Sequence, residues 1–175
     1  MPMLNKNVIE EGLAQCIKDI AGCQTHLANY DYTGIKLKYP RIVVDVQMPQ
    51  FFAIQSQDQK VVKETEKTGR RTITQQFELD VVITSVGSPQ DNLAYEKLQQ
   101  IRGKIHADYD LLFPMYKIQG LFVNAFSEIE DMSVELKTKI EDRYRMTMTL
   151  TGSTEIYNDV IAKIVEVNPQ ISYEK

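Results

Sequence analysis

The most regular stretch of the chain runs from Glu141 to Thr151. Tyr144, Met146, Met148 and Leu150 alternate there with Arg143, Arg145, Thr147, Thr149 and Thr151. A period of two sends the sets to opposite faces of a strand, and a Thr-rich polar set suits a pleated, half-buried surface. The pattern predicts a long strand with its Tyr/Met/Leu face on a core and its Arg/Thr face outward. Earlier and later elements are expected to pack on the apolar face.

From Asn7 to about Ala28 the period changes. Ile9, Leu13, Cys16, Ile17, Ile20, Cys23 and Leu27 fall three and four residues apart, opposite Glu10, Glu11, Lys18 and Asp19. That spacing predicts an amphipathic helix over 7–28, closed by the turn formers of 29–34. Arg41 to Gln47, set up by Pro40, is a β-branched run expected as a central strand, because it reads as apolar on both faces. Met48 to Lys60 reads as a Gln-rich connection carrying Phe51 and Phe52. Val61 to Val86 then reads as a long hairpin, with arms 61–67 and 70–86 about a turn at Thr68-Gly69. In its second arm Ile73, Phe77, Leu79, Val81 and Ile83 share a face opposite Thr72, Thr74, Gln76, Glu78, Asp80 and Thr84.

A turn at 87–91 precedes a second amphipathic helix, from Asn92 to about His106, on Leu93, Ala94, Leu98, Ile101 and Ile105. Pro114 is expected to close the following loop. Ile118 to Phe126 reads as a strand, and Ser127 to Lys139 as an acidic connection with room for a helical turn. After Gly152 two endings stay open: a helix capped from Ser153 with Ile156, Val160, Ile161, Ile164 and Val165 inside, or a last strand over 160–167. Short apolar runs do not separate the two. Strands with helices segregated between them predict an α+β sandwich, mainly antiparallel, whose long hairpin and sheet pack against two helices.

Composition narrows the class. A chain of 175 residues, 43% hydrophobic and 25% charged, is expected to be one soluble domain over 1–175. Its parts are the helix 7–28, the sheet and second helix 40–167 and a tail 168–175. The net charge of −4 argues against a dedicated nucleic-acid binder. The amino-terminal residues lack a basic region followed by an apolar run, so no signal peptide is expected, and no apolar stretch reaches membrane-spanning length. Cys16 and Cys23, about 10 Å apart along one helix at 1.5 Å per residue, are expected as reduced, small apolar thiols. His26 and His106 are too far apart in sequence to mark a metal site with them.

Candidate chemistry is sparse. No phosphate loop, zinc-protease pair, nucleophile elbow or Cys-x-x-Cys pair occurs, so no catalytic residue, metal or cofactor is expected. The sharpest enzymatic alternative is a small metal-dependent nuclease using Asp131, Glu135 and Lys137. Glu78 and Asp80 share a strand face and could hold a cation, or be plain solvated charges. Basic residues gather at the hairpin, at Lys60, Lys63, Lys67, Arg70 and Arg71, but Glu64 and Glu66 interleave with them. Such mixing suits a complementary protein surface better than phosphate. Arg143 and Arg145 offer the same on the open strand face; the alternative for both groups is solvated edge charge.

Several stretches together resemble the phage neck or tail terminator family. They are Tyr39-Pro40-Arg41-Ile42 leading into a strand, the long strand Phe77 to Thr84, Gly120-Leu-Phe-Val, Ile129-Glu-Asp-Met-Ser133, and Glu141-Asp-Arg-Tyr-Arg145 with its alternating strand. The resemblance spans roughly Tyr39 to Val167. It implies a structural virion protein, assembled in the host cytoplasm, that forms a ring of six copies. Such a ring caps the tail, contacts the tail tube and the head-side connector, and lets DNA pass without holding it. Lys63, Glu64, Glu66, Lys67, Arg70, Arg71, Arg143 and Arg145 are the expected subunit contacts. A cytoplasmic adaptor with no virion role is the remaining alternative.

Overall fold

Two long antiparallel strands, β5 (Arg71–Gly87) and β9 (Lys139–Asn158), form the spine of the fold. They pair without interruption from Arg71 opposite Asn158 to Gly87 opposite Asp142. The structure is a computed structural model that describes residues 6–29, 38–52, 60–61, 71–88, 92–136 and 139–158. Each outer edge of the spine is lined by shorter strands in series. Along β5 run β2 (Arg41–Val46), β3 (Gln50–Phe51) and β4 (Lys60–Val61), with β1 (Gln24–Leu27) parallel to β2 beyond. Along β9 run β6 (Leu121–Phe126), β7 (Glu130–Asp131) and β8 (Val134–Leu136). All pairings except β1 with β2 are antiparallel, so the α+β class stands.

The alternating pattern decides which face is covered. Met146, Met148 and Leu150 of β9 are buried, as are Phe77, Leu79, Val81 and Ile83 of β5 and Ile42, Val44 and Val46 of β2. Onto this face pack α1 (Lys6–Ala21), through Ile9, Leu13 and Ile17, and α2 (Leu93–Met115), through Leu98, Ile101, Ile105 and Phe113. Tyr144 packs against the same core from its half-buried position. Thr147 and Thr149 point away, half-buried beside Val82 and Asp80 of β5. The expected register therefore holds, and among the described residues both helices lie on one side of the sheet.

Several boundaries differ from the sequence reading. The first helix ends at Ala21 because Gly22 takes a left-handed φ of 62° and its N–H returns to Lys18 O at 2.9 Å. Gln24 to Leu27, read as its last turn, is instead an edge strand, and Cys23 lies outside the helix. Both thiols are free. β2 is internal as expected, but its burial alternates instead of being two-sided. The connection 48–60 contributes β3, and the acidic stretch 127–139 contributes β7 and β8 in place of a helical turn.

The second helix runs nine residues past His106, leaves helical values at Asp108 (φ −132°, ψ 17°) and keeps Pro114 in its last turn. Its N-cap is Asn92, with no side-chain capping bond. Ser153 to Asn158 prolongs β9, so no helix starts at Ser153. The stretch 160–167 lies outside the described residues.

Candidate functional site

The spine outruns the core. Among the described side chains of β5 the first buried one is Phe77, and the six rows from Arg71 to Gln76 pair with Asn158 to Ser153 beyond it. At about 3.4 Å per residue this projects about 20 Å. None of the described side chains in these rows is buried. β4 joins the projection, with Lys60 opposite Thr72 and Val61 opposite Arg71. The expected hairpin thus has an antiparallel base, but it is the outer part of a three-stranded arm, since β9 supports the other edge of β5. Arg71 is placed by its backbone; Lys63, Glu64, Glu66, Lys67 and Arg70 lie outside the described residues.

At the other end of the spine Arg41, Val86 and Arg143 form one row across three strands. The two arginines meet on Glu141, which accepts from Arg143 Nη2 at 3.0 Å, from Arg41 Nη2 at 3.4 Å and from the Tyr39 hydroxyl. The Arg41 guanidinium also stacks 4.9 Å from the centre of the Tyr39 ring. The Tyr39 hydroxyl foremost, helped by Arg143 and Arg41, holds the Glu141 carboxyl below the usual range, against the opposing effect of burial. Val86 beneath the cluster is only 2% exposed. Two of the stretches that carry the family resemblance, about 100 residues apart, are thereby one structural unit. Two rows on, Arg145 donates to Glu130 Oε2 through Nη2 at 2.6 Å and Nε at 3.2 Å. Both arginines of the expected contact set therefore already hold carboxylates of their own chain, Arg145 with its side chain 43% exposed.

The enzymatic candidates are engaged differently. Asp131 accepts from the Ser133 amide at 2.9 Å and from its hydroxyl at 2.5 Å, which lowers its pKa and closes a turn between β7 and β8. The Glu135 side chain and all of Lys137 lie outside the described parts. Glu78 accepts from Asn124 Nδ2 of β6, across β9, at 3.3 Å, and Asp80 from Thr149 Oγ1 of the adjacent β9 at 2.7 Å, so each carboxylate is held by a neutral donor. Among the described residues no three His, Cys, Asp or Glu side chains are grouped to hold a metal. Burial pushes the Cys16 thiol up to about 11, with Asp19 adding to it, which leaves it protonated and unreactive.

A groove of about 740 Å³ opens between the wet side of α2 and β6. Tyr95, Arg102, Gly103 and His106 form its helical wall, and residues 123–126 its floor. His106 stands edge-on to Phe126 at 6.4 Å and Tyr95 edge-on to Tyr144 at 5.4 Å. Neither the groove nor the Glu141 cluster was singled out from the sequence. The first had one usable signal, the aromatic and imidazole side chains on a helix face that should be polar. The second had none at short range, because its partners are distant in the chain.

No helix is long and apolar enough to cross a membrane among the described residues. A comparison with curated proteins finds no match. Comparison with protein-family models matches residues 7–175 to the phage neck terminator proteins, which covers nearly the whole chain and takes in every stretch quoted for the resemblance. The chain belongs to the phage neck terminator protein family, and is a structural component of the neck of a phage particle.

Proposed function

We propose that this neck protein closes into a ring of six copies that caps the tail and joins it to the head-side connector, after assembly in the host cytoplasm. The observation that carries the reading is the three-stranded arm, which runs six rows past Phe77, the first buried residue among the described side chains of β5. Its described side chains, Gln75, Gln76, Ser153 and Thr154, are polar and unburied and contribute little to the hydrophobic stability of their own subunit. Backbone order so far from a core is explained if a neighbour packs against it. A closed ring needs a heterologous interface, in which one patch of each copy meets a different patch of the next. An arm on one side of each subunit supplies such an asymmetry. The alternating charges Lys63, Glu64, Glu66, Lys67, Arg70 and Arg71 set its register against the neighbour, with Arg143 and Arg145 as further contacts. The net charge of −4 suits a channel that passes DNA without retaining phosphates.

The test is to replace Glu64 to Arg71 by an Asn-Gly turn and measure mass in solution by light scattering, alone and with isolated tails. The expected result is a folded protein, unchanged in circular dichroism, that no longer forms rings or docks on tails. Rings of normal size from the trimmed chain would overturn the reading. So would divalent-metal-dependent DNA cleavage that disappears when Glu135 and Lys137 are both replaced by Ala.

A further inference from the structure

We propose that the groove between α2 and β6, at the outer edge of β6, receives residues 159–175 of a neighbouring copy. The inference rests on the ring reading above and names the surface that the neighbour's chain meets.

The first observation is Gly103. Glycine is the poorest helix former after proline, yet this one sits in the middle of α2. A Cβ built on it would find no atom within 4 Å. The other glycine within a described helix, Gly12, has a reason inside the subunit, since its Cβ would lie 2.5 Å from Tyr116 O. Among the described residues nothing uses the space at Gly103, and Gly103 lines the groove. A missing side chain at that point lets a backbone from outside approach the helix closely.

The second observation is the edge of β6. Among the described residues β6 ends the strand order β1-β2-β5-β9-β6. Val123, Asn124, Ala125 and Phe126 all border the groove. A bulge between Val123 and Ala125 breaks the alternation of side chains there, as bulges commonly do at sheet edges. An edge offers unpaired N–H and C=O groups to an added strand.

The occupant follows from where the chain goes. β9 ends at Asn158, in the last described row of the arm. The residues after it include Val160, Ile161, Ile164, Val165, Val167 and Ile171, a concentration of apolar surface that calls for burial. Asn158, which precedes them, lies about 20 Å along the spine from the row of Phe77, by the strand rise. The groove carries Arg102 and Glu128, and the segment carries Asp159, Glu166 and Glu174 with Lys163 and Lys175, so each side offers charges of both signs.

The experiment compares the full chain, a chain ending at Asn158, and Gly103→Ala and Gly103→Phe in both. The probe is a fluorescent synthetic peptide of residues 159–175, with anisotropy, mass in solution and the thermal midpoint as readouts. The peptide should bind the shortened chain saturably and at least tenfold more weakly after Gly103→Phe. In the full chain Gly103→Ala should leave the midpoint unchanged or raise it, while weakening assembly; a purely structural glycine would move both down. Peptide binding that ignores Gly103→Phe overturns the inference. Rings formed by the shortened Gly103→Phe chain overturn it while leaving the ring reading intact. A full chain that never assembles, alone or on tails, although the peptide still binds, defeats the ring reading and the assignment to a neighbour together. Should the shortened chain fail to fold, full-chain Gly103 variants that assemble normally would refute the inference by themselves.

Discussion

Replacing Gly152 by Ala tests how the spine passes the core. Gly152 lies in β9 between Phe77 of β5 and Leu121 of β6. A Cβ there would stand 2.6 Å from Phe77 Cζ, 2.9 Å from Gly120 O and 2.9 Å from Leu121 Cδ2. Phe77 and Leu121 are 1% and 5% exposed, so neither can swing into solvent. Forcing a methyl into such a site costs about 1–3 kcal/mol. Ala restricts the unfolded chain more than Gly does and returns about 0.4–1 kcal/mol. The net loss should be about 1–2 kcal/mol, or a fall in thermal midpoint of about 2–8 °C for a chain of this size. Urea unfolding of wild type, Gly152→Ala, Phe77→Leu and the double variant, all at one protein concentration, closes a double-mutant cycle. Phe77→Leu removes the ring contact but not the Gly120 carbonyl, so the cycle should show partial rescue, with a coupling of at least about 0.5 kcal/mol. Gly152→Ala as stable as wild type, or strictly additive variants, would refute the claim that close approach explains this glycine.

The two faces of β9 should respond differently: Met148→Ala, at a fully buried site, should cost about 2–5 kcal/mol. Thr149→Ala, which gives up a half-buried hydrogen bond to Asp80, should cost about 1 kcal/mol in the same unfolding assay. Acid should weaken the protein partly through Glu141. Its pKa is lowered in the folded state, so its stabilisation is complete above the ordinary carboxyl value of 4.5 and is lost as pH falls through the lower folded value. Glu141→Gln should therefore lower stability at neutral pH and flatten the acid limb of a stability–pH curve; an unchanged acid limb would count against the cluster. Thiol labelling in native buffer should reach half-buried Cys23 slowly and Cys16 only on unfolding, because burial raises both thiols; equal rates would contradict the placement of Cys16.

Strong local periodicity was legible without coordinates. The alternation at Tyr144 to Leu150 and at Phe77 to Ile83 already stated which side chains enter the core, since a strand has only two faces and one must be apolar. The three- and four-residue spacing of Ile9 to Ile17 and of Leu98 to Ile105 did the same for the helices. Local pattern failed where its signal was short or ambiguous. Cys23 and Leu27 continued the helical spacing past Gly22, although one left-handed residue was enough to turn the chain into a strand. Gly152 looked like the end of a strand, yet strand pairing overrides propensity where Phe77 needs the room. β3, β7 and β8 are two or three residues long and exist only because the spine offers them edges to pair with.

By itself, then, the sequence determined the apolar faces, the fold class, the absence of the familiar catalytic motifs and the stretches that mark the family, because each is written in neighbouring residues. Only the tertiary structure decided that β5 and β9 are one spine, that the hairpin is the end of a three-stranded arm, and that Tyr39, Arg41 and Arg143 converge on Glu141. It alone gave Gly103 an open groove. These depend on which distant segments pair, and pairing is settled by the burial of whole faces at once, a sum over the chain that no local stretch contains.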